Sequence, residues 1–254
     1  QEITGKSIPF YHMDIRNADG LRQIFQTHHI SAVLHFAGLK AVGESVQQPL
    51  RYYQNNIGGM MTLLEELQKT DCRTLIFSSS ATVYGTQHTA PYAETVTPLS
   101  ASNPYGETKI ISEQLLQDLC QADSDWHITA LRYFNPIGAH ESGLLGEEPH
   151  GIPSNIAPYL ALVASGQLPY FRVYGNDYDT PDGTGVRDYV HVMDLAEGHV
   201  SALQYSMQHA GFSVFNLGTG SGCSVLELAN MYEAVSGKPI PLKIFPRRAG
   251  DVAT

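Results

Sequence analysis

Apolar positions occur along the chain in two different patterns. Apolar runs that resemble buried strands occur at residues 8–13, 32–37, 74–77 and 128–134. Between them the apolar positions are spaced as on one face of a helix, most clearly at Ile111, Leu115 and Leu119. Unbroken apolar runs are typical of strands covered on both faces, and their regular alternation with helices predicts a parallel sheet. The pattern therefore predicts an α/β fold with a doubly wound, Rossmann-type sheet, including one long helix at 51–69.

The regular alternation of apolar runs and helical patterns ends after Phe134. Residues 135–151 and 175–185 are rich in glycine and polar residues, which predicts two long loops. Ser224 and Glu227 have the spacing of a capping box that opens a last helix. Further elements are predicted as helices near 156–165 and 192–209 and as a strand near 212–217. We expect this half to form mainly a smaller C-terminal lobe.

Composition excludes several classes of protein. Of the 254 residues, 43% are hydrophobic and 16% charged, which is typical of a globular chain. The formal net charge of −10 argues against binding to nucleic acid, because phosphates need a basic surface. Three separated cysteines and eleven scattered histidines match neither a disulfide framework nor a metal site. No apolar run is long enough to span a membrane and no signal peptide is visible, so we expect a cytoplasmic protein.

The glycine pattern lacks one expected feature. A dinucleotide-binding sheet of this class has GxGxxG after its first strand, and no such motif stands there. We interpret Gly218, Gly220 and Gly222 as the turn into a helix, since they come late and lack the third glycine at the right spacing. The chain begins at Gln1 without a methionine and ends at Thr254 just after a charged cluster. We therefore expect a fragment whose first βαβ unit, with its glycine-rich loop, precedes Gln1.

Tyr105 and Lys109 form the strongest chemical signal. Asn103 suits the N-cap of a helix and Pro104 its first position, so the two side chains lie one turn apart on the same face. A phenol has an ordinary pKa near ~10, and a positive charge at ~4–6 Å favours its ionised form. The pair can thus provide a proton acceptor, to which a serine at residues 78–80 could add a hydroxyl. An ordinary surface pair on a helix has the same spacing, so context must decide.

That context is a set of longer motifs. Residues 78–85 (SSSATVYG), 103–109 (NPYGETK) and 131–136 (LRYFNP) resemble the extended short-chain dehydrogenase/reductases. Residues 35–45 (HFAGLKAVGES) and 174–191 (YGNDYDTPDGTGVRDYVH) are similar, within that group, to the UDP-glucose 4-epimerase family. The resemblance covers nearly the whole chain.

The resemblance implies the cofactor, NAD, and a role for each matching residue. It implies a catalytic group of Ser80, Tyr105 and Lys109. Beside Tyr105 and Lys109, it implies cofactor contacts from Asp14, Ile15, Phe36, Ala37, Gly38, Lys40, Asn55, Ser78 and Phe134. It implies nucleotide-sugar contacts from Lys40, Ser80, Tyr105, Asn135, Asn155, Arg187, Arg248 and Asp251. The two arginines are fork-shaped donors that suit a diphosphate.

Several of these residues also have ordinary structural interpretations. Asp14 could be a turn residue at a strand end, and Lys40 a solvated loop lysine. Asn155 could cap the following helix. Arg187 could pair with Asp182 or Asp188, and Phe134 could belong to the core.

The resemblance also implies an activity and an assembly. The expected reaction interconverts UDP-galactose and UDP-glucose through a 4-keto intermediate, with NAD held tightly. Residues 1–135 would be the rest of the NAD-binding domain and residues 136–254 mainly a substrate-binding lobe, with about 186–220 returning to the first domain. Helices at 51–69 and 104–121 would pair two subunits in a homodimer.

Two other functions stay open. A related nucleotide-sugar dehydratase, decarboxylase or 4-reductase would use the same fold. A dehydratase needs a further acid and base beside the serine position, where Ala81 and Thr82 offer no carboxylate. A non-catalytic NAD-binding regulator would be expected to lose Tyr105 or Lys109, and both are present.

Overall fold

The computed structural model describes residues 2–149, 151, 153, 155–248 and 251–254. The α-helices are α1 (Ala18–Thr27), α2 (Val42–Gln47), α3 (Pro49–Tyr52), α4 (Gly58–Leu67), α5 (Pro104–Ala122), α6 (Ile156–Ala164), α7 (Val192–Ser206) and α8 (Val225–Ser236). The strands are β1 (Val33–His35), β2 (Thr74–Ser80), β3 (His127–Tyr133), β4 (Asn135–Ile137), β5 (Phe171–Tyr174), β6 (Val186–His191), β7 (Gly211–Leu217), β8 (Gly222–Ser224) and β9 (Leu242–Phe245). A π-helical turn spans Tyr53–Ile57 and a 3₁₀ turn spans Ala81–Tyr84.

A four-stranded parallel sheet forms the centre of the first half, in the order β1-β2-β3-β7. Helices cover both of its faces. On one face, Leu67 of α4 and Leu116 of α5 join Phe77 of β2 in a buried cluster. On the other face, Ala202 of α7 packs with Ile76 of β2. Fully burying one such aliphatic side chain is worth roughly 1.5–3 kcal/mol. The doubly wound α/β prediction is confirmed.

The predicted strand at 8–13 is wrong. These residues form no strand, and Ile8 and Phe10 are 77% and 86% exposed. An extended segment becomes a strand only when a neighbour supplies a ladder of hydrogen bonds. Among the described residues, β1 ends the sheet on that side and pairs with β2 alone.

The long helix predicted at 51–69 is interrupted. Helix α3 begins at Pro49, and a π-helical turn separates it from α4. The wider turn holds Asn56, whose side chain reaches out to the backbone of Leu39. Apolar periodicity does not report such a turn, which is frequent at functional sites.

The chain divides into two compact units. Unit 1 comprises residues 1–88, 92–133 and 196–217, and unit 2 comprises residues 89–91, 134–195 and 218–254. Unit 2 contains the sheet β4-β6-β8 and the parallel pair β5-β9. Its core is built around Leu160 of α6 and Val173 of β5. No helix in the described part of the chain is long and apolar enough to cross a bilayer.

Candidate active site

Helix α5 presents Tyr105 and Lys109 to the sheet. The Asn103 side chain caps the helix by accepting a hydrogen bond from the backbone N–H of Gly106 at 2.9 Å, and Pro104 takes the first position. The local signals in the sequence therefore fix where the helix begins. Lys109 is 7% exposed, so its ammonium group lies inside the protein.

The end of strand β2 supplies the opposite wall. The strand continues through all three serines, further than the predicted strand at 74–77. The ammonium of Lys109 donates to the carbonyl oxygen of Ser78 at 2.6 Å and lies 5.7 Å from the centre of the Tyr105 ring. Ser80 interacts with Tyr105 through a side-chain hydrogen bond. The structure thus brings the four residues Ser78, Ser80, Tyr105 and Lys109 together.

The electrostatics of this group differ from the expectation. Burial raises the pKa of Tyr105, and the hydrogen bond with Ser80 opposes that rise. The sequence predicted a lowered pKa from Lys109, but the enclosed site penalises the phenolate and the ammonium is turned towards Ser78. Burial also lowers the pKa of Lys109 to about 8, against the attraction of Glu113. Burial and the nearby Lys109 lower the pKa of His35 to about 4.

A loop after β1 lies beside helix α5. The amide of Asn56 binds this loop twice, accepting from the Leu39 N–H at 2.8 Å and donating to its carbonyl at 3.0 Å. A Cβ at Gly38 would lie 3.4 Å from Asn56 Oδ1 and 4.0 Å from Lys109 Nζ. The missing side chain therefore keeps open the space in front of Lys109. Half-buried Asn55 donates to Asn56 Oδ1 at 3.1 Å.

The same loop exposes groups that suit a dinucleotide. The Phe36 ring is 59% exposed and offers an apolar plane. Ala37 and Lys40 are also exposed, and Lys40 provides a free-standing cation for a phosphate group. With the open Gly38, this set fits a cofactor that has both rings and phosphates.

Asp14 and Ile15 are committed to local structure. Asp14 accepts hydrogen bonds from the Arg16 backbone and guanidinium at 2.7–2.9 Å, and this partner lowers its pKa to about 2. Its carbonyl also accepts from Asn17 in the turn that leads to α1. Ile15 packs on the core cluster of unit 1, where a Cβ at Gly59 would lie 2.6 Å from it. Their assignment to the cofactor stays a prediction.

Unit 2 holds the other predicted ligand residues. Phe134 is half-buried, and a Cβ at Gly218 would lie 2.9 Å from its ring. Exposed Asn135 opens β4 and pairs with Tyr189 of β6. Asn155 takes the N-cap position of α6, but its side chain donates to Glu147 at 2.7 Å.

The two arginines bind within unit 2 as well. Arg187 donates to the carbonyl oxygens of Val186 at 2.6 Å and Val252 at 2.8 Å, so it pairs with neither of the aspartates considered above. Arg248 binds Asp251 at 2.9 Å and lies over the Tyr174 ring at 4.6 Å. Arg248 and Asp251 are therefore neighbours, whereas Arg187 is engaged with the backbone of the last residues.

The glycine-rich turn at residues 218–222 already binds a carboxylate through its backbone N–H groups. Asp188 accepts hydrogen bonds from the N–H groups of Thr219 and Gly220, both at 2.8 Å, and from the Thr219 hydroxyl at 2.7 Å. Gly218 has no room for a side chain, since a Cβ would lie 2.6 Å from Asp188 Oδ2. These amides hold an internal anion, which agrees with the interpretation as a turn rather than a pyrophosphate loop.

Comparison with known proteins decides the family. Residues 1–218 match the NAD dependent epimerase/dehydratase family. The chain belongs to this family.

Relatives within the family share one named activity. The chain is 55% identical over 253 residues to a UDP-glucose 4-epimerase of Neisseria gonorrhoeae, covering all of the chain and 75% of that protein. It is 54% identical over 254 residues to a UDP-glucose 4-epimerase of Bacillus subtilis, again covering all of the chain and 75% of the relative. The crystal structure of UDP-glucose 4-epimerase from Bifidobacterium longum, in complex with NAD+ and UDP, matches with a TM-score of 0.96 and 53% identity. That match covers 99% of this chain and 75% of the other.

The family's cofactor is consistent with the geometry of unit 1. The family is NAD-dependent. The exposed ring of Phe36, the amine of Lys40 and the space in front of Gly38 are groups that can hold such a molecule. The ammonium of Lys109 faces that space, 4.0 Å from where a Cβ at Gly38 would lie, and it is 5.7 Å from the centre of the Tyr105 ring.

Sequence reasoning missed the residues that support this family site. Asn56 holds the loop after β1 and donates to Thr108, which itself binds the Tyr105 carbonyl at 2.6 Å. Glu113 and Arg132 form a buried ion pair behind the serines. For Glu113 and Arg132 the sequence contains a hint, because a charged residue inside an otherwise buried helix face or strand needs a partner. It does not show that the two residues pair with each other.

Proposed function

We propose that the protein is a UDP-glucose 4-epimerase, which interconverts UDP-galactose and UDP-glucose. The observation that carries the proposal is the grouping of Ser80, Tyr105 and Lys109 in a chain 54–55% identical to proteins of that name. The resemblance of the sequence motifs and the family's dependence on NAD agree with it.

Each catalytic residue has a role that its surroundings support. Tyr105 takes the proton of the sugar 4-hydroxyl and later returns it to the 4-keto oxygen. Ser80, in hydrogen-bond contact with Tyr105, donates to the same oxygen and orients it. NAD, when bound, supplies the hydride acceptor and donor for C4 of the sugar.

Lys109 supplies the charge that the phenol needs. Burial alone keeps Tyr105 protonated at neutral pH, because it raises the pKa of the phenol. A protonated Lys109 near the ring favours the phenolate and so favours proton acceptance. Its bond to the Ser78 carbonyl fixes this charge in place.

We assign the two units to the two ligands. Unit 1 would bind NAD, and Asn135, Asn155, Arg187, Arg248 and Asp251 of unit 2 would bind the nucleotide sugar. Arg248 suits a diphosphate, and the Tyr174 ring beneath it offers an aromatic surface. We further propose a homodimer and a cytoplasmic location, the latter because all three cysteines are free thiols.

The test is a direct assay with cofactor analysis. Purified protein is incubated with UDP-galactose, and UDP-glucose formation is followed while bound nucleotide is released by acid and quantified. We expect interconversion in both directions and NAD in the released fraction. Full activity in protein that carries no NAD, or NAD-loaded protein that leaves UDP-galactose unchanged, would overturn the proposal.

A further inference from the structure

Helix α5 contacts the end of strand β2 through three successive turns. The first two turns carry Tyr105 and Lys109, whose contacts with the serines are described above. The third turn carries Glu113, four residues further along the same face. Its Oε1 atom accepts a hydrogen bond from the Ser79 hydroxyl at 2.5 Å. Each serine at the end of β2 therefore has a partner on α5.

The neighbouring strand completes this contact. Arg132 of β3 stands beside Ser79 in the parallel register. It binds Glu113 through two hydrogen bonds, Nε to Oε1 at 3.0 Å and Nη2 to Oε2 at 2.6 Å. Its third nitrogen donates to the Tyr84 hydroxyl at 3.0 Å, which donates to Asn216 of β7 at 2.6 Å. The network thus joins α5 to three adjacent strands.

Stability alone does not account for so deep an ion pair. Glu113 and Arg132 are each 4% exposed, and Ser79 is 1% exposed. Removing two charges from water costs several kcal/mol, and well-packed apolar residues are often at least as stabilising. A bidentate pair does something that apolar packing does not, because it accepts one geometry only. Here that geometry is the register of α5 on the end of β2.

The pair also places a charge beside the catalytic lysine. Glu113 lies one turn from Lys109 on α5 and attracts its proton. The other titratable groups around the site are Tyr105 on α5, His35 on β1 and Tyr133 on β3, whose pKa is raised by burial and by the nearby Tyr105. His35 stays neutral near pH 7, since its pKa is about 4. Among these described groups, Glu113 is the one carboxyl group, and Arg132 pairs with it.

We propose that Glu113, held by Arg132 and Ser79, is a positioning residue that fixes the register between α5 and β2 and thereby the geometry of Ser80, Tyr105 and Lys109. The inference rests on the proposed function, because it concerns the same reaction. Misplacing reacting groups by about 1 Å can lower the rate ~10²-fold. A small shift of α5 along β2 should therefore lower kcat measurably.

Two variants separate positioning from folding. Glu113→Gln keeps the acceptor for Ser79 but removes the charge, and leaves Arg132 buried and unpaired. The double variant Glu113→Gln/Arg132→Met removes that unpaired charge and should recover thermal stability. We expect both variants to lose ~10–100-fold in kcat while KM changes little. The alkaline limb of the kcat–pH profile should move to lower pH in both, because Lys109 loses the charge that helps it hold its proton.

The chain offers a matched control. Glu66 is 2% exposed and is bound by two nitrogens of Arg22, at 2.8 and 3.0 Å, between α1 and α4. Lys69 also binds Glu66 at 2.7 Å, and the side chain of Arg22 is 42% exposed. Glu66→Gln therefore disrupts a buried carboxylate that binds an arginine in two places, without touching the serines of β2. It should lower the melting temperature and leave both kcat and the pH profile of the folded enzyme unchanged.

Hydrogen exchange gives a readout that does not depend on turnover. Backbone amides of residues 78–80 and 105–109 should exchange faster in the double variant than in wild type or Glu66→Gln, all measured on the full chain. A double variant with wild-type melting, exchange, kcat and pH profile would overturn the inference. If wild type itself fails to interconvert the sugars, the proposed function fails, and exchange at these amides still decides whether Glu113 fixes the register.

Discussion

The ammonium nitrogen of Lys109 lies 2.6 Å from the carbonyl oxygen of Ser78 and 5.7 Å from the centre of the Tyr105 ring. The lysine is therefore tied to the strand rather than to the phenol. In the proposed reaction, a charge held in this way would act on Tyr105 through space, without a hydrogen bond to the phenol that has to break or form. Such a fixed charge needs no reorganisation during the reaction.

Loss of the phenolic oxygen tests the proton acceptor. Tyr105→Phe should reduce interconversion of UDP-galactose and UDP-glucose by ~10²–10⁴-fold, the usual range for a lost acid or base. NAD content should be retained, because the ring that lines the site is unchanged. Ser80→Ala should cost less, since water can replace its hydroxyl. Near-normal turnover in a Tyr105→Phe protein that binds substrate would show that another group is the base.

The lysine predicts a pH limit on the alkaline side. Because burial lowers the pKa of Lys109 to about 8, its charge is present below that pH and is lost as pH rises through it. We expect kcat to fall in the same range, as the phenol loses the charge that favours its ionisation. Lys109→Ala should be less active and should show its optimum at higher pH. A wild-type kcat that stays level up to pH 10 would contradict this role.

The buried histidine predicts a loss of stability in mild acid. His35 has a folded-state pKa of about 4 against an ordinary value of 6.5, so the unfolded chain binds its proton first as pH falls. The free energy of unfolding should then decrease between pH 6.5 and 4, by about 2 kcal/mol from pH 7 to pH 5. Denaturant unfolding of wild type and His35→Gln checks this, because the variant should lack that share of the decrease.

Exposed apolar side chains on α4 and α5 agree with the proposed homodimer. Met61 on α4 and Ile111 on α5 are 46% and 38% exposed. Met61 also lines a groove together with Leu115 and Leu119. Met61→Glu should dissociate the dimer in sedimentation experiments, because it buries a charge in the interface. Val200→Glu, at a residue of α7 that is 55% exposed, is the control and should stay dimeric. A wild-type monomer at micromolar concentration would contradict the proposal.

Sequence patterns predicted the helices and strands whose ends or faces are marked by local residue types. Asn103 and Pro104 marked the start of α5, and the spacing of Ser224 and Glu227 gave the capping box that the structure contains. Parallel, covered strands followed from their apolar runs. The predicted strand at 8–13 failed because an apolar run reports burial or pairing only when a neighbour is present.

The sequence predicted those features of the site that follow from residue types and their spacing along one helix. Tyr105 and Lys109 are four apart on a recognisable helix, so their proximity followed from the sequence. The direction of the Tyr105 pKa did not, because it depends on how fully the folded protein encloses the phenol. The pairing of Glu113 with Arg132 joins a helix to a strand through tertiary contact, and no local pattern encodes that.

The pairing of β3 with β7 sets the order in which the protein can be completed during synthesis. Every residue of the proposed catalytic group has left the ribosome before Tyr133 does, yet β7 begins only at Gly211. At ~5–20 residues per second the interval lasts on the order of ten seconds. Throughout it the outer edge of β3 lacks its partner, and an open edge is a template for pairing with other chains. The nascent enzyme must therefore shield a strand beside its own catalytic centre until the last strand of that sheet arrives.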